Sequence, residues 1–100
     1  MDRSPEVYAS SVTKVMFAKA VRRHVECPDE QVPGETLRDV LNGYFDRHPA
    51  VRSYIVDEHG AVRKHIAVFV NAQLVNDRTH LDLAMGDADE VHVFQALSGG

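Results

Sequence analysis

The side chains able to do chemistry are scattered along this chain and form no metal-binding pattern. The six histidines occur singly, at His24, His48, His59, His65, His80 and His92. None belongs to an H-x-H, H-x-x-x-H or H-E-x-x-H pair, and the one cysteine has no C-x-x-C partner. These are the spacings that zinc sites commonly use. We therefore expect the chain to bind no metal.

Cys27 is a second candidate, because a lone thiol can act as a nucleophile. It lies in a polar segment before Pro28, and Glu26 and Asp29 flank it with negative charge. A reactive cysteine needs a neighbouring base and a positive environment that lowers the pKa of its thiol. An incidental thiol is the expectation, and a redox or catalytic role is the alternative. Since no nucleophile-elbow or glycine-rich phosphate motif occurs either, a stand-alone enzyme is not expected.

The remaining candidate is the final stretch, "VHVFQALSGG", in which a strand-like run is followed by two glycines. Glycine has no side chain, so Gly99 and Gly100 can enter a narrow channel and adopt backbone angles that other residues avoid. From Leu97 onward, four extended residues reach about 13–14 Å. The pattern favours a rigid body that holds out the carboxylate of Gly100 as the reactive group. An incidental tail is the alternative.

Length and composition favour one small domain. The 100 residues are 44% hydrophobic and 26% charged, which suits a single core with little room for an enclosed catalytic cavity. The net charge of −4 argues against a nucleic-acid partner, whose phosphates need a basic surface. No apolar run is long enough to cross a membrane, and no secretory leader is recognisable. A cytoplasmic protein without a membrane partner is expected.

Charge is distributed unevenly along the sequence. Arg78 is the last basic residue, and it is followed by Asp82, Asp87, Asp89 and Glu90. We therefore expect the surface near the C-terminus to be acidic. A partner that binds this surface is expected to be basic where it makes contact.

Hydrophobic periodicity predicts the elements that would carry the tail. Residues 1–11 are predicted to be a flexible arm, residues 12–96 the domain, and residues 97–100 a flexible tail. Strands are predicted at residues 12–17 and 30–32, paired as a hairpin. A helix is predicted to begin at Thr36, with Asp39 completing a capping box, and to end before Pro49. Its apolar residues recur at helical spacing and are Leu37, Val40, Leu41, Tyr44 and Phe45.

The second half of the chain is predicted to contain further strands. Two strand-like runs, residues 51–56 and 66–70, are separated by a turn at residues 57–60, and Asn71-Ala72 offers a tight reversal. The last strand is predicted at residues 91–94, with His92 on the face opposite to its two valine neighbours. The resulting order of strand, strand, helix, strand, connection and strand indicates an α+β fold, with one helix across a mixed sheet.

Three segments resemble the MoaD/ThiS family of ubiquitin-like sulfur carriers. "GETLRDVL" resembles the start of the family's helix, "HIAVFVNAQLV" its central strand and following turn, and "GDADE" with "VHVFQALSGG" its end. The resemblance covers residues 12–100 and implies the β-grasp (ubiquitin-like) fold, with four to five strands and one main helix. The length and the segment "VRSYIVDEHGAVRK" look more like the carriers of cysteine synthesis. Phe94-Gln95 looks more like the thiazole carriers.

The resemblance also implies a function. A ubiquitin-activating-type adenylyltransferase would use ATP to adenylate Gly100, and sulfide or a persulfide would then displace AMP to give a thiocarboxylate. That sulfur would be donated in the synthesis of cysteine, thiamine, molybdopterin or a secondary metabolite. The chain would be a cosubstrate that binds no cofactor of its own. Its implied partners are the activating enzyme, a sulfur-acceptor synthase and a metalloprotease that processes the tail.

Docking is expected on the exposed sheet face and on the residues around the start of the tail. The partner-binding candidates are Phe94, Ala96, Leu97 and Ser98, although Phe94 suits the core equally well. The carrier is expected to be a monomer. Two alternatives stay open: a protein modifier joined through Gly100 to lysines, and a plain interaction domain.

Overall fold

The computed structural model describes residues 12–96, which contain five strands and three helices. The strands are β1 (Val12–Phe17), β2 (Glu30–Pro33), β3 (Ile66–Val70), β4 (Gln73–Leu74) and β5 (Glu90–Gln95). The helices are α1 (Lys19–Arg22), α2 (Leu37–Arg47) and α3 (Pro49–Ile55). The predicted arm, residues 1–11, and the predicted tail, residues 97–100, lie outside the described residues.

The strands form one mixed sheet in the order β2-β1-β5-β3-β4. β5 pairs in parallel with β1 and antiparallel with β3, so the last strand is the central one. β2 and β4 form the two edges, each antiparallel to its neighbour. The prediction that the first and last strands lie side by side is confirmed, and with α2 against the sheet the architecture is the β-grasp.

The core lies between one face of the sheet and α2. Alternate strand residues point towards the helix because successive side chains of a strand face opposite ways. They include Val15, Phe17, Ile66, Val68, Val91 and Val93, all buried. All five apolar residues predicted on α2 are buried as well. The predicted cap is present, since Thr36 Oγ1 accepts a hydrogen bond of 3.2 Å from the backbone N–H of Asp39.

The strand predicted at residues 51–56 is wrong, because the chain there forms α3. Pro49 does end the preceding helix, but it also begins the next one, since its fixed φ suits the first helical turn. Val51 and Ile55, four residues apart, share the buried face of α3. The short helix α1 was not predicted either, and it lies between the two strands of the first hairpin.

Two arginines fix the long connections around α2. Arg38 donates hydrogen bonds to the carbonyl oxygens of Gly60, at 2.8 Å, and Thr79. Arg78 donates to the carbonyl oxygen of Ile66 at 2.6 Å, and also to that of Arg63. Each guanidinium therefore binds two backbone carbonyl groups.

The loop before β5 is bound to the start of α2. The backbone N–H of Leu37 donates to the carbonyl of Leu83 at 2.9 Å, and the N–H of Arg38 donates to the carbonyl of Leu81 at 2.8 Å. The first N–H groups of a helix have no partner within the helix, so these contacts satisfy the helix end and hold the loop at once.

Candidate functional site

Hydrogen bonds on both sides anchor β5 up to the point where the predicted tail begins. The backbone N–H of Ala18, just after β1, donates to the carbonyl of Val93 at 2.9 Å. On the other side, the N–H of Ala96 donates to the carbonyl of His65 at 2.7 Å. Ala96 is the last described residue, and its backbone is therefore fixed to the sheet. Four candidate residues, Leu97, Ser98, Gly99 and Gly100, lie outside the described residues.

We call the C-terminal end of β5, Gln95 together with Ala96, the tail root. Aromatic side chains pack around it. The Tyr54 hydroxyl donates a hydrogen bond of 2.7 Å to Oε1 of Gln95. The Tyr54 ring stacks on His24, with centroids 5.5 Å apart, and meets the His65 ring edge-on at 4.9 Å. Nε2 of His65 is buried without a hydrogen-bond partner among the described residues. None of these three rings was predicted as a site residue.

The prediction of an acidic surface near the C-terminus is wrong. Asp87, Asp89 and Glu90 precede or begin β5, whereas the tail root lies at its other end, about 17 Å away along the strand. β1 runs parallel to β5 and β3 runs antiparallel to it, so the residues after β1 and before β3 lie at the tail root. The basic residues of those two segments are Lys19, Arg22, Arg23, Arg63 and Lys64.

The sheet face opposite α2 carries apolar and aromatic side chains next to the tail root. Phe94 is 38% exposed, so it does not belong to the core, and its role as a contact residue stays a prediction. The rings of Phe94 and Phe69 meet edge-on at 5.2 Å, and the His92 ring lies 4.9 Å from Phe94. Register places Met16 and Phe69 on either side of His92. As predicted, His92 lies on the face opposite to buried Val91 and Val93.

These side chains form what we call the open face: Met16, Ala67, Phe69, His92 and Phe94. A shallow cavity of about 440 Å³ lies over part of it, lined by Phe69, His92 and Phe94 together with Asn71, Ala72 and Glu90. An exposed aromatic surface of this kind commonly marks a site of protein contact.

Cys27 does not lie in a solvated loop, because its side chain is only 2% exposed. Burial raises the pKa of the thiol to about 11, and the nearby Arg22 charge offsets this only in part. A thiol with so high a pKa is almost entirely protonated at neutral pH and is a poor nucleophile. The structure therefore favours the incidental thiol over the redox or catalytic role.

Other kinds of site find no support between residues 12 and 96. No group of three or more His, Cys, Asp or Glu side chains in this range is placed to hold a metal ion. Nor does any helix in this range combine the length and the apolar character needed to span a membrane.

Comparison with known proteins identifies a family. The model of the ThiS family matches residues 17–100, which is most of the chain. No sequence among the curated proteins matches it.

Solved structures with the same fold share less than a quarter of their residues with this chain. The small archaeal modifier protein 1 of Methanosarcina acetivorans is 23% identical, with a TM-score of 0.73 over 91% of this chain and 98% of its own. In the BexX/CysO complex of Amycolatopsis orientalis, the matching chain is 22% identical, with a TM-score of 0.71 over 88% and 99%. CysO of Mycobacterium tuberculosis is 20% identical, with a TM-score of 0.71 over 85% and 99%.

Proposed function

The chain belongs to the ThiS family, and from this premise we propose that it is a sulfur carrier whose Gly100 is adenylated and then converted to a thiocarboxylate. The observation that carries the proposal is the anchoring of Ala96 to His65, four residues before Gly100. When a partner binds the rigid body, this anchor limits the positions that the terminal carboxylate can reach. The entropic cost of bringing it to the reacting group is therefore lower.

The chemistry at Gly100 takes two steps, both catalysed by a partner. A carboxylate oxygen attacks the α-phosphorus of ATP, pyrophosphate leaves, and the acyl-adenylate forms. Hydrosulfide then attacks the acyl carbon, the C–O bond to AMP breaks, and the thiocarboxylic acid loses its proton. The chain supplies no acid, base or metal in these steps and acts as a protein cosubstrate. An acceptor synthase subsequently takes the sulfur.

The open face and the tail root suit a partner that binds both. Phe69 and Phe94 offer aromatic area that a partner can bury. Lys19, Arg22 and Arg23 follow β1 and Lys64 precedes β3, at the strand ends that adjoin the tail root. An acidic rim on the partner's channel would complement them. The expected activating enzyme is therefore apolar opposite the open face and acidic around its channel.

Mass spectrometry of the intact chain tests the proposal. After incubation with its activating enzyme, ATP and sulfide, the chain should gain the mass of one oxygen-to-sulfur exchange, localised to the C-terminal peptide. Gly100→Ala, or one residue added after Gly100, should abolish the gain while the unfolding transition stays unchanged. Gly86→Ala is the matched glycine control, since its added methyl group meets only Asp89 Oδ2 at an ordinary 3.6 Å. Normal loading of the Gly100 variant would refute the proposal.

A second candidate is a protein modifier attached through Gly100 to lysine side chains. It is supported by the names of similar folds, the small archaeal modifier proteins of Methanosarcina acetivorans and Haloferax volcanii. Both functions begin with the same acyl-adenylate, but a lysine amine rather than sulfide displaces AMP in the second. Higher-mass conjugates that survive thiol treatment and contain an isopeptide-linked Gly100 would identify the modifier. Their absence alongside a thiocarboxylate would identify the carrier.

A further inference from the structure

A groove of about 470 Å³ lies at the end of the sheet away from the tail root. One wall comes from the β3–β4 hairpin and the residues after it, and the other from the loop that precedes β5. Val70, which lines the groove, lies about 13 Å along β3 from Ile66, which pairs with Gln95 of the tail root. An occupant of this groove would therefore leave the tail free.

Two exposed leucines face this groove. Leu74 on β4 is 49% exposed and Leu83 in the opposite loop is 46% exposed. Among residues 12–96, the only other large apolar side chain with comparable exposure is Phe94, which belongs to the open face. Two leucines gathered on one concave surface form an apolar patch that burial in a complex would stabilise.

The walls of the groove are held in place before anything binds. The carbonyl of Leu83 is bonded to the first turn of α2, as is that of Leu81. Leu81 has a φ of 56°, a left-handed conformation that is unusual for a leucine. Leu74 follows a two-residue turn in which Asn71 and Ala72 have φ values of 50° and 71°. A preformed site costs less ordering on binding than a mobile one.

The charged residues that line the groove are all acidic. Asp77, Asp82 and Asp89 line it, and no lysine or arginine does. Asp82 is exposed and takes part in none of the ion pairs formed within residues 12–96. Asp87 and Glu90 lie at the same end of the sheet, beside Lys14 and outside the lining of the groove. Acidic charge with no cation in the lining favours a positively charged occupant.

We propose that this groove is a second docking site, for a partner segment that carries leucine-like side chains between lysines or arginines. The apolar side chains would lie between Leu74 and Leu83, and the cations would meet Asp82 and the neighbouring carboxylates. The site does not depend on the chemistry at Gly100, so a partner could hold the carrier here while its tail occupies another active site.

The test uses the ¹⁵N-labelled full chain and a synthetic peptide, acetyl-Lys-Arg-Leu-Leu-Lys-Arg-amide. Amide shifts should change at residues 73–77 and 81–84 and not across the open face. Leu83→Ser and Leu74→Ser should each weaken binding by about tenfold or more, since each removes a buried apolar contact. Asp82→Asn should weaken it less, and added salt should reduce the difference.

Control variants distinguish binding in the groove from non-specific binding of the peptide. Phe94→Ser removes an exposed apolar side chain elsewhere, and Glu58→Gln removes an exposed carboxylate in the turn after α3. Both variants should bind the peptide as the unmodified chain does. A peptide with serine in place of leucine, or glutamate in place of its cations, should bind at least tenfold more weakly.

Several results would overturn the proposal. The peptide could bind unchanged after both leucine substitutions, or its amide shifts could centre on the open face. The peptide with glutamate in place of its cations could also bind as tightly as the basic one. Groove amides that move with protein concentration alone would assign the groove to a second copy of the chain. Groove amides that move on Tyr8→Ser without peptide would assign it to the chain's own first residues. Loading of Gly100 with sulfur is a separate measurement, so the two proposals can fail independently.

Discussion

Tyr54 and Gln95, 41 residues apart in sequence, are joined by a hydrogen bond of 2.7 Å between the phenol hydroxyl and the side-chain oxygen. The bond ties α3 to the last residue of the central strand. Because Gln95 directly precedes Ala96, this contact belongs to the support of the predicted tail, although Tyr54 lies in a segment that the sequence predicts to be a strand.

Removing this hydroxyl should loosen the tail root without disturbing the core. Tyr54→Phe keeps the ring between His24 and His65 but removes the hydrogen bond, so the free energy of unfolding should fall by about 1 kcal/mol. Hydrogen exchange of the Ala96 amide should accelerate, while that of Val68 in the middle of β3 should change only with global stability. A loss above about 3 kcal/mol would instead mean that the ring packing had changed.

Acid should weaken the turn that leads into β5. The backbone N–H of Gly86 and the side-chain amide of Asn71 both donate to Asp89, and they lower its pKa below the usual 3.8. A carboxyl group whose pKa is lower in the folded state stabilises the fold at pH values above its unfolded-state pKa. That stabilisation is lost as the pH falls through the folded-state pKa. Stability should therefore drop below about pH 4, and the drop should be smaller in Asp89→Asn. Urea unfolding at a series of pH values measures this, and an identical profile for both proteins would contradict it.

Gly60 should not tolerate a side chain. Its φ of 84° is a left-handed angle, and an added Cβ would lie 2.6 Å from Nη1 of Arg38. That nitrogen can move, but moving it disturbs the bond to the carbonyl of Gly60 itself. Gly60→Ala should lower the free energy of unfolding by about 1–2 kcal/mol in chemical denaturation. Gly86→Ala is the matched control and should cost clearly less. Equal losses at the two positions would contradict the argument.

Cys27 should react only when the protein opens. Its buried thiol has a pKa raised to about 11, so little thiolate exists at pH 8. Alkylation by iodoacetamide should be slow in buffer and accelerate through the urea transition. Cys27→Ala should leave sulfur loading of Gly100 unchanged, since the thiol has no place in the proposed chemistry. Rapid alkylation of the folded protein would show that the thiol is accessible after all.

The open face should matter for partner binding and not for folding. Phe94→Ser removes an exposed ring that packs on Phe69 and His92, so the free energy of unfolding should change by less than about 1 kcal/mol. Binding to the activating enzyme should weaken at least tenfold, as expected when an aromatic contact is lost from an interface. Isothermal titration with the purified enzyme measures this. Unchanged affinity would move the docking surface elsewhere.

The sequence predicts this fold well wherever local chemistry is decisive. Thr36 and Asp39 mark the start of α2, and Asn71-Ala72 marks the β3–β4 turn. The error at residues 51–56 has a simple cause, because Val51 and Ile55 are β-branched and also fit one face of a helix. The helical spacing of Val51 and Ile55 and the presence of Pro49, which can begin a helix as well as end one, are the signals for α3.

The site was predicted less completely, because its parts are distant in sequence. Phe94 and Ala96 follow from the final strand alone. Tyr54 and His65 reach the tail root only through the pairing of β3 with β5 and the packing of α3. The prediction for the acidic residues fails for the opposite reason. Asp89 and Glu90 are close to Gln95 in sequence, but they lie at the other end of β5.

The central position of β5 also determines how the protein bears a mechanical load. Force applied along β5 from its C-terminal end must break the hydrogen bonds to β1 and β3 together. An edge strand, in contrast, can be separated one hydrogen bond at a time. Force applied at this end would therefore meet high resistance, and a translocating unfoldase should extract the chain more slowly from the C-terminus than from an internal loop.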